Sequence, residues 1–380
     1  MSELATTPPS ISRAIQRVMT GLYDEMAELR LGSARSQQCA MTALAVAIAT
    51  AIALELRVDA PWWAAISAFV SVRATAPASM QRGALRIIGT AIGAAFGLWL
   101  SPWLIEDPVA LSVVLLAVGT LGVLGLQVSD HGYAWLLGAV TTVMVLLAAL
   151  DDPHSTLDIA CNRTAEVTIG TMAAILVALV LAPTAETASS ASAAPGWSNV
   201  LEAQWPSLEH ALRAGVAVML VPLVWRWLEL PNLSQTAVTA AAVMAVPALS
   251  NDEAANRQMI TERALHRLVG CLLGGVAGLA CLTLSIETFL PWLTMLTAGI
   301  WIAAHVQASQ RGIGYVGTQG AVVFISTLVQ GWGPPASIFP GLDRFAGITG
   351  GLLILLAVSW LTAPSTIPAR ADSTRTGTIG

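Results

Sequence analysis

The sequence predicts an all-α polytopic integral membrane protein of about 12 transmembrane helices, arranged as two parallel six-helix repeats. Three observations predict this fold class. Of the 380 residues, 55% are hydrophobic and only 11% are charged, whereas soluble domains are about one quarter charged. Apolar runs recur along the whole chain, and many approach the roughly 20 residues that a helix needs to cross a bilayer. The second half of the chain also repeats motifs of the first half.

The repeat is carried by a motif of two arginines and three glycines, Arg-x3-Arg-x2-Gly-x3-Gly-x3-Gly, which occurs once in each half of the chain. Upstream of the motif, Pro61 and Pro77 recur as Pro231 and Pro247. The register changes between these prolines and the motif because a short insertion falls in the polar stretch 251–262. Agreement over half a chain indicates a duplicated unit. The motif residues are Arg82, Arg86, Gly89, Gly93 and Gly97 in the first copy and Arg263, Arg267, Gly270, Gly274 and Gly278 in the second.

Each copy contains six apolar runs that we predict to be transmembrane helices. Because six is an even number, both copies enter the membrane from the same side, which makes them parallel repeats related by an axis along the membrane normal. The runs are 39–56, 61–77, 84–101, 108–127, 133–150 and 164–182 in the first copy and 210–228, 232–249, 265–285, 290–308, 315–331 and 344–362 in the second.

The same runs divide the chain into five segments. Residues 39–183 and 208–364 form the two membrane repeats, and residues 184–207 form a linker rich in Ala, Ser and Thr. Residues 365–380 form a polar tail that we expect to be disordered. Residues 1–38 carry apolar residues at helical spacing, which predicts an amphipathic helix. This helix either lies on the inner leaflet or packs on the membrane domain from the cytoplasm.

The distribution of arginines predicts the orientation in the membrane. All 18 basic residues are arginine, and a cytoplasmic N-terminus places 14 of them on the inner side and four on the outer side. Basic residues concentrate on the cytoplasmic side of membrane proteins. We therefore predict a multi-pass protein of the bacterial inner membrane with both termini in the cytoplasm.

The glycine stripes predict close helix packing. Three glycines four residues apart leave one helix face without side chains, so that another helix can approach closely. Since the stripe lies on the third helix of each copy, we expect the third and ninth helices to pack against each other at the centre. The paired arginines at the inner end of these helices either bind lipid headgroups or collect anionic substrate.

Charged residues in or near the predicted spans are the first candidates for a substrate pathway. Arg73 lies about 12 residues into the predicted second helix, where it either snorkels to the inner surface or offers a cation to a carboxylate. Glu166 follows Arg163 by three residues. This pair either stabilises a helix start or supplies a carboxylate that couples proton movement to export.

Four uncharged residues complete the set of pathway candidates. His305 and Gln319 lie within predicted spans and either line the pathway or bond a neighbouring helix. Trp62 and Trp63 open the second helix at its predicted outer end, where indole rings favour the membrane interface.

The sequence contains no pattern that is typical of an enzyme. The four cysteines lack metal-ligand spacing and predict apolar packing residues. The sequence Gly312-x-Gly314-x2-Gly317 follows a predicted span rather than a βα turn, so we do not interpret it as a dinucleotide site. We therefore expect no catalytic residue, metal, cofactor or nucleic-acid partner.

Short motifs of the first copy occur in a fixed order: Pro61-Trp62-Trp63-Ala64, then Arg82, Arg86-Ile87-Ile88-Gly89-Thr90 and Gly93, then Asn162-Arg163 and Gly170. In these motifs residues 35–183 resemble the FUSC (fusaric acid resistance) family of the aromatic acid exporter superfamily, and the second half resembles it more loosely. The resemblance implies export of organic anions, often aromatic carboxylates, with use of the proton gradient and in some members a periplasmic adaptor protein. Many members carry a large cytoplasmic domain after the sixth helix, where this chain has a short linker.

The expected function is therefore a secondary transporter of the inner membrane that exports small organic acids, often aromatic, by proton coupling. Two alternatives stay open: a passive organic-anion channel, and a non-transporting membrane scaffold that docks a partner through its N-terminal helix. The expected partners are the lipid bilayer and a small organic anion. A periplasmic adaptor protein and a second copy of the chain are further candidates.

Overall fold

The computed structural model describes residues 11–30, 32–182, 205–227, 253–284 and 287–335, together with the single positions Trp197, Ser337, Phe339 and Leu342. Eleven α-helices and one 3₁₀ turn, Pro153–Ser155, lie in these residues. The helices are α1 (Ile11–Ala27), α2 (Ala34–Glu55), α3 (Pro61–Ser71), α4 (Ala76–Leu104), α5 (Pro108–Val128), α6 (Gly132–Asp151), α7 (Thr156–Leu181), α8 (Trp205–Trp227), α9 (Glu253–Leu282), α10 (Phe289–Gln307) and α11 (Gly314–Leu328).

Eight helices within the described ranges are long and apolar enough to cross a membrane, namely α2 and α4 to α10. The prediction of an all-helical membrane protein is therefore confirmed. The count of about 12 spans in two repeats is not confirmed. Two of the predicted spans, 232–249 and 344–362, lie outside the described residues, as do most of the predicted linker and the polar tail.

The predicted second span, 61–77, is wrong. Helix α3 has 11 residues, which extend only about 16 Å at 1.5 Å per residue. It ends because Val72 is extended, and Thr75 is also extended and caps the next helix by accepting a hydrogen bond from the Ala78 N–H. Pro77 lies in the first turn of α4, where a missing N–H costs nothing. Helix α3 is therefore a short helix followed by a four-residue connection, 72–75.

The two glycine stripes pack within their own halves. A Cβ added to Gly93 on α4 would lie 2.2 Å from the carbonyl oxygen of Gly138 on α6, and one added to Gly274 on α9 would lie 2.2 Å from that of Gly320 on α11. The expected central pairing of the third and ninth helices is therefore wrong, because each stripe is already occupied by the helix two positions later in its own copy. The two helix pairs, α4 with α6 and α9 with α11, make the same kind of glycine contact.

The two halves meet through α2 and α3 of the first copy and α10 and α11 of the second. Their shared core contains Phe69 of α3 together with Trp292, Leu296 and Ile300 of α10. A second core joins α5 and α6 of the first copy to α8. Each half thus buries apolar side chains against the other, which fixes the helices that border the interface.

Helix α1 packs on the membrane helices of the second half. Its Val18 is buried with Val306, Ile313 and Val316 at the connection between α10 and α11. The structure shows α1 packed on the membrane domain, which is one of the two alternatives considered for the amphipathic helix.

Candidate functional site

A polar cavity of about 430 Å³ lies between the two halves, and we refer to it as the arginine cavity. It is bordered by α2 and α4 and by the connection that follows α3 in the first half, and by α9, α10 and α11 in the second. Its lining residues are Gln38, Cys39, Thr42, Val70, Val72, Arg73, Arg82, Arg263, Ala304, Gln307, Ala308, Gly314, Tyr315 and Thr318.

The charges of this cavity all have one sign. Arg73, Arg82 and Arg263 line it, and none of its lining residues is acidic. Within the described parts of the chain, none of these three arginines forms an ion pair with a carboxylate. The buried Nε atoms of Arg82 and Arg263 also lack hydrogen-bond partners there. The cavity therefore has a concentrated positive potential and contains guanidinium N–H groups that are not paired with a carboxylate.

A tyrosine orients the arginines in each half. The Arg82 guanidinium lies 3.5 Å from the ring centroid of Tyr133, and Arg86 Nη1 donates a hydrogen bond of 2.6 Å to the Tyr133 hydroxyl. Stacking of a guanidinium on an aromatic face is favourable and restrains the side chain.

The second half repeats this arrangement at equivalent positions. Arg263 lies 4.1 Å from the ring centroid of Tyr315, and Arg267 Nη1 donates a hydrogen bond of 3.3 Å to the Tyr315 hydroxyl. Neither tyrosine was predicted from the sequence. Each nevertheless follows the second arginine of its motif at almost the same separation, 47 positions in the first copy and 48 in the second. That spacing was the signal that could have found them.

Two of the four paired arginines do not fit the prediction of headgroup binding. Arg86 and Arg267 are each only 6% exposed, so their guanidinium groups point into the protein and not toward lipid. Arg82 and Arg263, one turn earlier, face the arginine cavity. Collection of an anion by the motif arginines stays a prediction.

Arg73 is a pathway candidate that lines the arginine cavity. It lies in the connection after α3 and not inside a helix as predicted, because α3 ends at Ser71. Its backbone N–H donates a hydrogen bond of 2.9 Å to the Ser79 hydroxyl. The connection is thereby tied to the first turn of α4, which fixes the position of the arginine.

Glu166 and Trp63 lie at the opposite end of α3. Glu166 is 1% exposed, and its Oε1 accepts a hydrogen bond of 2.8 Å from the Ala60 N–H. Its Oε2 lies 3.2 Å from Arg163 Nη1 in an ion pair that lacks hydrogen-bond alignment. Arg163 in turn stacks on the Trp63 ring at 4.3 Å. This cluster is separated from the arginine cavity by the length of α3.

The remaining pathway candidates do not line the arginine cavity. His305 is buried against Trp301, with ring centroids 4.2 Å apart, and its backbone carbonyl accepts a hydrogen bond from Arg35. Gln319 is buried beside Gly270, and Trp62 packs on the core shared by the two halves. Instead the cavity contains Gln38, Thr42, Gln307 and Thr318 as uncharged polar side chains.

Fold and site together define a multi-helix membrane protein with a cationic cavity between two related halves. Residues 37–203 match the Fusaric acid resistance protein family, so this part of the chain is similar to that family. Arg73, Arg82 and Tyr133 lie within the matched segment.

Named relatives match part of the chain. The chain is 31% identical over 156 residues to the p-hydroxybenzoic acid efflux pump subunit AaeB of Escherichia coli strain K12, covering 37% of this chain and 24% of that protein. It is 30% identical over 156 residues, with the same coverage, to the subunit of the same name from Shigella boydii serotype 18. The match thus spans about a quarter of the length of these relatives. No solved structure matches the chain.

Proposed function

We propose that the protein is an efflux transporter of small organic anions and that the arginine cavity is its anion-binding site. The observation that carries the proposal is the presence of three arginines from both halves without a carboxylate among the lining residues. Relatives that match part of the chain are named as subunits of a p-hydroxybenzoic acid efflux pump. Aromatic carboxylates are therefore the substrate class that we propose.

The chemistry of the cavity suits a carboxylate. Guanidinium groups present several N–H donors in one plane, and they bind carboxylates with paired, charge-assisted hydrogen bonds. Tyr133 and Tyr315 each lie against one face of a cavity arginine. A bound carboxylate would accept hydrogen bonds from the guanidinium groups of Arg82 and Arg263, which line the cavity.

The location of the cavity suits a transport cycle. Arg82 belongs to the first half and Arg263 to the second, so an anion between them contacts both halves at once. In transporters built from repeats, the substrate binds between the repeats, and movement of one repeat against the other exposes it to alternate sides. A secondary transporter is therefore preferred here to a scaffold, which needs no such cavity.

We place proton coupling at Glu166. This carboxylate is buried, and one of its two oxygens lacks an aligned donor. Protonation would remove its attraction for Arg163, so that the charge of that arginine becomes available to an anion. The orientation with both termini in the cytoplasm, and a location in the inner membrane, complete the proposal. A periplasmic adaptor and a homo-oligomer stay open as partners.

The test is uptake of radiolabelled p-hydroxybenzoate into everted membrane vesicles. Arg73→Gln, Arg82→Gln and Arg263→Gln should each raise the KM about tenfold, which corresponds to about 1.4 kcal/mol of lost binding energy. Arg213→Gln is the matched control, because Arg213 pairs with Glu209 on α8 and does not line the cavity. Unchanged kinetics in all three cavity variants would disprove the site.

The same vesicles distinguish the alternatives. Uptake driven by an imposed pH gradient and lost on its collapse supports a proton-coupled exporter, and Glu166→Gln should abolish that dependence while leaving downhill flux. Flux in the wild type that follows membrane voltage and ignores the pH gradient would indicate a passive channel. Absence of uptake for a panel of aromatic and aliphatic acids would indicate a scaffold.

A further inference from the structure

A second polar cavity, of about 560 Å³, adjoins the arginine cavity, and we call it the vestibule. It lies between the start of α2 and the connections that follow α3 and α10. Gln38 and Ala308 line both cavities, so the two meet at these residues. The other described residues that line the vestibule are Ala34, Arg35, Gln37, Met41, Ala74 and Gln310.

The arginine cavity is closed on the side that faces away from the vestibule. Ala304 and Gln307, near the end of α10, line the cavity, whereas Trp292 and Leu296, earlier in the same helix, are 1% and 0% exposed. The indole N–H of Trp292 donates a hydrogen bond of 3.2 Å to the Leu328 carbonyl of α11. The apolar core shared by the halves thus fills the interface on that side, which leaves the vestibule as the approach to the cavity.

Arg35 is the charged residue among the described residues that line the vestibule. Its Nη2 atom pairs with Glu25 of α1 and donates a hydrogen bond to the His305 carbonyl, and 32% of its side chain is exposed. Glu25 also pairs with Arg311, which in turn pairs with Glu28. Two arginines and two acids therefore balance each other while α1 is docked, and Arg35 alone of the four lines the vestibule.

The partner of Arg35 is a group that an organic acid also carries. A carboxylate that enters the vestibule can replace the Glu25 carboxylate on Arg35, because the two make the same kind of charge-assisted hydrogen bond. Glu25 stays satisfied after the exchange, since Arg311 lies 2.9 Å from its Oε2 and the Ser309 hydroxyl donates to the same oxygen. A cation at the mouth of a cleft also raises the local concentration of anions.

We propose that the vestibule is the entrance through which an organic anion reaches the arginine cavity, and that Arg35 is an entry subsite for its carboxylate. The anion replaces Glu25 on Arg35, passes Gln38 and Ala308, and then binds the arginines of the larger site. With both termini in the cytoplasm, as proposed above, the vestibule lies on the cytoplasmic side, from which an exporter takes its substrate. This inference rests on the proposed function, because it takes the arginine cavity as the destination of the anion.

The native Cys39 is a probe of this entrance, because it lines the arginine cavity and is only 2% exposed. The variant to use has alanine at the three other cysteines, Cys161, Cys271 and Cys281. Two impermeant methanethiosulfonate reagents, one with a sulfonate and one with a trimethylammonium group, then report access by charge. The sulfonate reagent should label Cys39 at least tenfold faster, since the cavity is lined by cations. Labelling should occur from the side of the membrane that also labels Gln310→Cys.

The decisive comparison is made in the Glu25→Gln background, where the acid that pairs with Arg35 is already absent. Adding Arg35→Gln should slow the sulfonate reagent at least fivefold and should not slow the trimethylammonium reagent. Adding Arg35→Lys should keep the sulfonate rate within twofold, because the charge is kept. Arg213→Gln is the control for loss of a distant cation, and it should change neither rate.

A structural role of Arg35 would change the rates of both reagents alike. An unchanged ratio of the two rates in Arg35→Gln, or an equal loss of that ratio in Arg35→Lys, would therefore overturn the entry subsite. Cys39 that is labelled only from the opposite side, or by neither reagent, would overturn the entrance itself.

A substitution at the junction of the two cavities keeps the test valid where Arg35→Gln reduces the amount of folded protein. Ala308→Phe narrows the junction and should slow both reagents at least fivefold. Ala40→Phe is the matched control, because Ala40 is exposed on α2 and lines neither cavity. Equal labelling of Cys39 in these two variants would contradict passage through the vestibule.

Protection by p-hydroxybenzoate separates this inference from the proposed function. If the arginine cavity binds this anion, a saturating concentration should slow the labelling of Cys39 at least fivefold, with or without Arg35. Absence of protection, with the preference for the sulfonate reagent intact, would mean that the proposed function fails. Protection together with a charge preference that does not depend on Arg35 would mean that only the entry subsite fails.

Discussion

Gly93 and Gly138 bring the backbones of α4 and α6 together at one point. The two glycines differ in how much room they have for a side chain. A Cβ added to Gly93 would lie 2.2 Å from the Gly138 carbonyl oxygen, which is a clash. A Cβ added to Gly138 would lie 3.4 Å from the Gly89 carbonyl oxygen, which is an ordinary contact. The Thr142 hydroxyl donates a hydrogen bond of 3.0 Å to the carbonyl of Gly93 at the same crossing. The distance between α4 and α6 therefore depends on the absence of a side chain at Gly93, as it does at Gly89, where an added Cβ would lie 2.5 Å from the Ala134 carbonyl oxygen.

Gly93→Ala should destabilise the protein by about 1–3 kcal/mol, because the added methyl group forces the two backbones apart. Gly138→Ala is the matched control from the facing helix. Its methyl group reaches only ordinary contact distance, and alanine has the higher helix propensity. Thermal unfolding of the two variants in detergent measures the difference. A midpoint for Gly93→Ala equal to that of Gly138→Ala would mean that the crossing is loose.

Glu25 anchors α1 to the membrane domain. It forms ion pairs with Arg35 and Arg311 and accepts a hydrogen bond of 2.6 Å from the Ser309 hydroxyl. Glu25→Gln should release α1 and speed trypsin cleavage within residues 11–30 at least tenfold. Glu28→Gln should have a much smaller effect, since Glu28 is exposed and bonds only Arg311. Equal cleavage of both variants would show that the apolar contacts of α1 suffice.

The same carboxyl makes the docking of α1 pH-dependent. Burial alone raises the pKa of Glu25, but the hydrogen bond from Ser309 and the charge of Arg35 outweigh it, so that the pKa is lowered. A carboxyl with a lowered pKa stabilises the docked state at pH above its free value of about 4.3 and loses that effect as the pH falls through the lowered value. Protease protection of α1 should therefore be constant at neutral pH and decline below pH 4. The Glu25→Gln variant should lack this dependence.

Tyr315 provides a test of how the cavity arginines are held. Tyr315→Leu removes the ring that stacks on Arg263 and should raise the KM for p-hydroxybenzoate about fivefold, since a stacking contact of this kind is worth about 1 kcal/mol. Tyr315→Phe keeps the ring and should raise the KM less than twofold. If both substitutions have the same effect, the hydroxyl and its bond to Arg267 matter more than the ring.

Single cysteines in a cysteine-free variant test the topology. The connection 129–131 between α5 and α6 and the connection 308–313 between α10 and α11 are repeat-equivalent, so parallel repeats place them on one side of the membrane. Asp130→Cys and Gln310→Cys should be labelled by an impermeant maleimide from the same side. His154→Cys, at the far end of α6, should be labelled from the other side. Labelling of Asp130→Cys and Gln310→Cys from opposite sides would exclude parallel repeats.

The sequence predicted the features of the fold that follow from composition and spacing. Helix type and the close contacts of the glycine faces each leave a periodic signal along the sequence. The end of α3 at Ser71 was missed, because apolar residues continue beyond it and Pro77 was counted within the span and not as the first turn of α4. The partner of each glycine stripe was also wrong, since a stripe identifies a smooth face and not the helix that covers it.

The candidate site was less accessible to prediction. Arg73 was chosen as a charge expected within the membrane, but its partners Arg82 and Arg263 come from two different helices and were interpreted by their position near a helix end. A cavity depends on which side chains converge across the interface, and no spacing along the chain encodes that. The tyrosines that hold the arginines are distant in sequence, and only their near-equal separation from the motif, 47 and 48 positions, could have pointed to them.

The presence of both copies in one chain has an evolutionary consequence. In a homodimer of a single six-helix unit, every substitution appears in both subunits. A cation at one cavity wall is then always accompanied by the symmetry-related cation at the other wall. Once the copies are fused, position 73 can hold arginine while its counterpart holds Val243. Under the proposed function, a single chain can therefore vary the two walls of the arginine cavity independently, with a cation at position 73 in one half alone.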